Sequence, residues 1–200
     1  MVSGTLNDNG YNITSTNTAS GGFQSSSNNA RALVISGTWT FAGQGNAFSL
    51  GGTVLPTVTG SGTISLTATG AKTFVGGGIQ TWPKINQGGT GALTITGSNK
   101  FQDITNTAIG SVLFTGGTTN EFNAFSLNGT STAARLTLGS TNTTQATLKK
   151  ATPWNVGTGS LDSGNNAGLS FASGGNDYLS ISYINGIIPS TGNRNFFAFF

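Results

Sequence analysis

The sequence predicts an all-β chain wound as a single-stranded, right-handed parallel β-helix with coils of about 20–24 residues, and three observations carry that expectation. Short bursts such as "ALVIS", "TWTFA", "TISLTA", "ALTIT", "ARLTL" and "YLSISYI" alternate apolar with small or hydroxylated residues, the period of a strand with one buried face. Asn99, Asn120, Asn142, Asn165 and Asn185 recur in turns at steps of about 20–23 residues. Apolar positions keep the same step: Leu66, Ile85, Ile104, Leu127, Leu148 and Leu169 form one column, and Ile95, Phe114, Leu138, Leu161 and Ile181 a second. A β-sandwich accounts for the bursts equally well and stands as the alternative, but it gives no reason for the shared period.

Taken in order, the chain divides into three parts. Residues 1–59 have the poorest register and are expected to form an irregular coil or cap, with strands around Tyr11–Ile13, Leu33–Ile35 and Trp39–Phe41 and a polar loop from Thr14 to Asn29. In this part Trp39 alternates with Phe41, which predicts that both face the core. Residues 60–188 contain the recurring steps and are expected to be the coils themselves. "GSNKFQDI" and "TTNEFNAF" are one such step apart, each with an Asn, a charged residue and then Phe. Residues one coil apart stack at the sheet spacing of roughly 4.8 Å, so a recurring Asn is expected to pass side-chain amide hydrogen bonds along a ladder and to tolerate the left-handed backbone of a tight corner. "GGG" at 76–78 has no Lys-Ser/Thr after it, which excludes a phosphate loop and predicts a bulge or close packing before Trp82. Residues 189–200 end in "NFFAFF"; Phe196, Phe197, Phe199 and Phe200 are expected to cap the last coil or to meet a partner.

Composition narrows the function. Charged residues are only 6% of the chain, yet Pro is rare and thirteen Phe and three Trp are present, so the polarity is that of an ordered β protein and not of a disordered one. The net charge of +3 comes from eight scattered basic residues, with only Lys149 and Lys150 adjacent; no nucleic-acid footprint results. There is no Cys, hence no disulfide or thiolate metal site, and no apolar run long enough for a membrane span or a signal peptide. The chain is expected to fold where it is made, without a cofactor.

With these residues in view, the chain resembles the glycine- and threonine-rich proteins of bacteriophages, of marine and cyanophage type, that serve as virion structural or tail-fibre-like components. "GYNIT", "FQSSSNNARALVISGTWTFAG", "KTFVGGGIQTW", "ALTITGSNKFQDIT", "VLFTGGTTNEFNAFSLNGTS" and "LDSGNNAGLSF" carry the resemblance, which spans Gly10 to about Phe171. "GALTITGSNKF" is also similar to the β-helical passenger repeats of bacterial autotransporters, although the chain lacks their signal peptide and membrane barrel. The resemblance implies a virion location, contacts with other virion proteins and a homotrimer; the autotransporter likeness implies a bacterial cell surface instead.

Catalysis finds few groups to work with. With neither His nor Cys, the Ser-His-Asp and Cys-His arrangements and nearly all transition-metal sites are excluded. Paired carboxylates remain conceivable in a polysaccharide-cleaving tailspike, but Asp103 and Glu121 fall at different positions in adjacent coils and read as solvated turn residues. "SGGNDYL" lacks the repeated acidic ligands of a calcium site, and the Thr of "TIT" and "TLT" fall in coils of unequal length, unlike a flat ice-binding array. Trp82 and Trp154, each beside a Pro, are the candidate glycan contacts. The expected function is therefore a non-enzymatic virion scaffold, in a fibre, spike or decoration component. A receptor- or glycan-binding adhesin, with a host surface glycan as partner, is the alternative, and a polysaccharide-cleaving tailspike a further one.

Overall fold

The computed structural model describes residues 1–78, 81–129, 136–144 and 146–149, together with the strand backbones of 154–155, 160–162, 166–167 and 169–170. These residues wind into a parallel β-solenoid. The first coil carries β1 (Gly4–Asn7), β2 (Ile13–Ser15) and β3 (Phe23–Ser26), and the second β4 (Arg31–Val34), β5 (Thr38–Phe41) and β6 (Gly45–Gly51). Then come β7 (Thr57–Thr59), β8 (Thr63–Leu66), β9 (Lys72–Val75), β10 (Lys84–Gln87), β11 (Leu93–Thr96), β12 (Lys100–Phe101), β13 (Ile104–Asn106), β14 (Ser111–Phe114), β15 (Thr119–Phe122) and β16 (Leu136–Ser140). The short strands β17 (Ala146–Lys149), β18 (Trp154–Asn155), β19 (Ser160–Asp162), β20 (Asn166–Ala167) and β21 (Leu169–Ser170) complete the series.

Every pair of described strands is parallel, and partners lie 19–28 residues apart in sequence, apart from β18 and β21 at 15. The longest sheet runs β3-β6-β9-β11-β14-β16-β19, the next β2-β5-β8-β10-β13, while β1-β4-β7 and β12-β15-β17-β20 occupy the remaining position in successive coils. This arrangement explains why single bursts of four residues suffice: each strand borrows its hydrogen bonds from the coils on either side. Side chains alternate in and out, as in β5, where Trp39 and Phe41 are buried between partly exposed Thr38 and Thr40.

Aromatic rings form a spine through the core. Phe23 stacks on Phe48 (centroids 5.2 Å apart), Phe48 on Phe74 (5.3 Å) and Phe101 on Phe122 (5.3 Å), with Phe74 joined to Phe101 at 5.6 Å. Leu33, Ile35, Ile64, Ile85, Ile95, Ile104, Phe114 and Leu138 fill the space around it. Burying each such side chain contributes about 1.5–3 kcal/mol, so the shaft is held chiefly by this column. At one corner glycine is required: a Cβ on Gly91 would lie 1.9 Å from the carbonyl oxygen of Gly70 one coil away.

Three expectations change. Residues 1–59, expected as an irregular coil or cap, are laid into the same sheets as the rest, and β3 lies inside the predicted polar loop. Their register looked poor because the coils are longer: Ile13, Trp39 and Ile64 are partners at steps of about 25 residues, whereas Ile64, Ile85 and Ile104 are partners at about 20. The apolar columns also shift. Ile85 and Ile104 are neighbours as expected, but the partner of Ile85 in the preceding coil is Ile64 and not Leu66, while Leu148 lies beside Asn120 in another sheet. Finally, Asn99, Asn120 and Asn142 do not take up the left-handed conformation; Gly97 does so before Asn99, and the only such non-glycine residue among those described is Asn9.

Candidate functional site

Among the described residues the Asn ladder is two rungs long. The Asn99 side-chain amide donates to Asn120 Oδ1 at 3.0 Å and to the carbonyls of Thr96 and Gly97, while Asn120 donates to Thr118 Oγ1. Both asparagines are buried. Asn142 is not the third rung, because the coil after β15 is longer and Leu148 takes that place; its carboxamide oxygen instead accepts from its own turn, at Thr144 N. Asn165 and Asn185 lie outside the described residues, as do Phe196, Phe197, Phe199 and Phe200.

Trp82 is not a surface platform. It is fully buried, edge-on to Phe74 (4.9 Å) and Phe48 (5.5 Å), so no sugar can stack on it. Gly76 makes room for it: a Cβ there would lie 2.9 Å from the indole Nε1 and 2.0 Å from Asn99 Oδ1, which are both buried and unpartnered. The "GGG" segment is thus a close-packing device. Trp154 belongs to β18, opposite Leu169, and not to a turn; its side chain lies outside the description.

The exposed charges form a second ladder. Lys100, Glu121 and Lys149 are register partners on β12, β15 and β17, with Lys100 Nζ 3.7 Å from the Glu121 carboxylate. Asp103 instead accepts from Ser126 Oγ at 2.9 Å. Glu121 thus lies on β15 and Asp103 in the turn before β13, with different partners. Among the described residues, no cluster of His, Cys, Asp and Glu could hold a metal ion.

Three buried charges, unforeseen from the sequence, tie the coils together. Asp8 accepts from Gly10 N, Ser36 N, Gly37 N and the Trp39 indole, the last at 2.7 Å. Burial raises its pKa, but the hydrogen bonds from Gly10, Gly37, Trp39 and Ser36 outweigh this and hold the carboxyl below its ordinary range. Arg31 donates to the carbonyls of Ser25, Ser27, Gly51 and Val54 and to Ser25 Oγ. Lys72 Nζ is enclosed by the carbonyls of Gly91 (2.7 Å), Ala68 (3.1 Å) and Gly89 (3.4 Å), and burial lowers its pKa to about 8. Each is the only charged residue in a long neutral stretch, and that isolation is the one signal the sequence offered.

One open cleft, of about 400 Å³, is lined by Asn106, Thr107, Ile109, Ser126, Asn128 and Gly129. Asn106 fixes its wall by donating to Asn128 O and accepting from Asn128 N. Hydroxyl and amide groups thus surround a single aliphatic side chain, a composition suited to a neutral polar ligand. No family model, curated protein or solved structure matches the chain.

Proposed function

We propose that this β-solenoid is a non-enzymatic structural component of a phage virion, a fibre, spike or decoration element that supplies a rigid shaft and contacts to neighbouring subunits. The observation that carries the reading is the use made of polar groups in the interior: Asp8, Arg31, Lys72 and the Asn99–Asn120 pair each join one coil to another or to the backbone around it. Chain chemistry is spent on rigidity. The virion location and the homotrimer come from the resemblance of the sequence. Immunogold labelling of purified particles with antibody against this chain tests the reading: label at a fixed place on the particle is expected, and particles that carry none of the chain overturn it.

A second reading, a receptor- or glycan-binding module, is favoured by the cleft around Ile109. It moves the contact away from Trp82, which is buried, to Ser126, Asn128 and Thr107. Glycan binding that is lost in Ser126→Ala and unchanged in Lys100→Ala is its expected signature.

A further inference from the structure

Asp103, which reads in the sequence as a solvated turn residue, stands directly behind the cleft around Ile109. Its Oδ2 accepts from Ser126 Oγ at 2.9 Å, and Ser126 lines the cleft. Its Oδ1 is buried without a hydrogen-bond partner. Lys84 does not neutralise it: this lysine precedes Ile85, whose N–H bonds the Asp103 carbonyl, yet Lys84 and Asp103 form no ion pair, unlike Lys100 and Glu121. A ligand atom bonded to Ser126 would stand two hydrogen bonds of about 3 Å from this carboxylate, inside the Debye length of about 8 Å at physiological salt.

That arrangement fixes which way hydrogen bonds can run in the cleft. A serine hydroxyl has one proton to give, and Ser126 gives it to Asp103, so toward a ligand it only accepts. Thr107 is the reverse. Its Oγ1 accepts from Asn86 Nδ2 at 3.0 Å, which leaves its own proton to donate. The exposed carboxamide of Asn128 can do both, and Ile109 supplies an aliphatic surface beside them. A ligand hydroxyl both gives and takes a hydrogen bond, and a sugar ring carries several of them around an apolar C–H face. An ionised carboxylate or sulfate has no proton for Ser126 and meets a like charge behind it. We infer that the cleft takes a neutral sugar unit and that Asp103, acting through Ser126, is the positioning residue that rejects acidic ones. The inference rests on the glycan-binding reading of this cleft and adds its selectivity.

Binding of the full chain to an array of neutral hexose and N-acetylhexosamine glycans, with uronic- and sialic-acid glycans beside them, tests it. Neutral glycans should be captured, and acidic ones should bind at least about tenfold more weakly at low salt. Asp103→Asn keeps an oxygen for the Ser126 hydroxyl, so it should hold neutral glycans as before while narrowing that gap to about threefold or less. Glu121→Gln removes one charge elsewhere and should leave the gap as it is. High salt should narrow the gap in the wild type, which decides the matter if the Asp103 variant does not fold. Acidic glycans bound as tightly as neutral ones, or a gap that neither Asp103→Asn nor high salt narrows, overturns the role of Asp103 and leaves the glycan reading standing. Capture of no glycan at all overturns that reading and this inference with it.

Discussion

At the scale of single residues, the buried Asp8 and Lys72 both make stability rise with pH, in separate windows. The folded pKa of Asp8 lies below its ordinary value of 3.8, so the unfolded chain takes up the proton first as acid is added. The stabilisation is complete above that value and is lost as pH falls through the folded pKa. Asp8→Asn, which turns an amide donor toward the N–H groups of Ser36, Gly37 and Trp39, should cost about 2–3 kcal/mol at pH 7 and flatten the acid limb of the melting curve. For Lys72 the folded pKa of about 8 is below the unfolded 10.5, and the unfolded state again binds more protons between those values. Stability should therefore rise with pH from about 8 to 10.5, and thermal melts of Lys72→Met should lack that rise. Trp82→Ala, which empties the spine beside Phe74, should cost about 3–5 kcal/mol in a denaturant titration. A smaller loss would mean that the shaft can close around the space.

Single elements show how a short strand is kept in register. β12, β15 and β17 present Lys100, Glu121 and Lys149 in one row, so a slip by one residue would break the alternation of sign. Because these side chains are nearly half exposed, the row contributes little: Glu121→Lys should destabilise by no more than about 1 kcal/mol, and the loss should shrink in high salt. Strands were legible in the sequence because a period of two survives in four residues, and "TWTF" and "LTIT" declare their buried faces. Their partners were less so. Placing Leu66 instead of Ile64 beside Ile85 is an error of two residues, which keeps the same face inward and leaves the hydrophobic pattern intact. The Asn99–Asn120 pair was readable because the step between them matches the local coil; Asn142 was misplaced because the next coil is longer by several residues. Turn length, which no hydrophobic pattern records, was the missing quantity.

For the whole molecule, the same latitude in the turns explains why the β-helix was legible while its site was not. The core needs only that each strand returns to its place, so coils of about 20 and about 25 residues coexist, and their surplus forms loops at the corners. The Phe23, Phe48 and Phe74 column follows the longer step and so does not share the period of the later coils. Trp82, bracketed by Thr and Pro, reads as a surface residue until Gly76 is seen to make room for it. The confinement of accessible charge to the later coils has a further consequence for anyone handling the protein. Trypsin cuts only after lysine or arginine, and up to residue 83 it would find Arg31 and Lys72 alone, their side chains shut inside the wall. Limited digestion of the native chain should nick it at Lys84 or later, leaving residues 1–84 as one intact, protease-resistant piece.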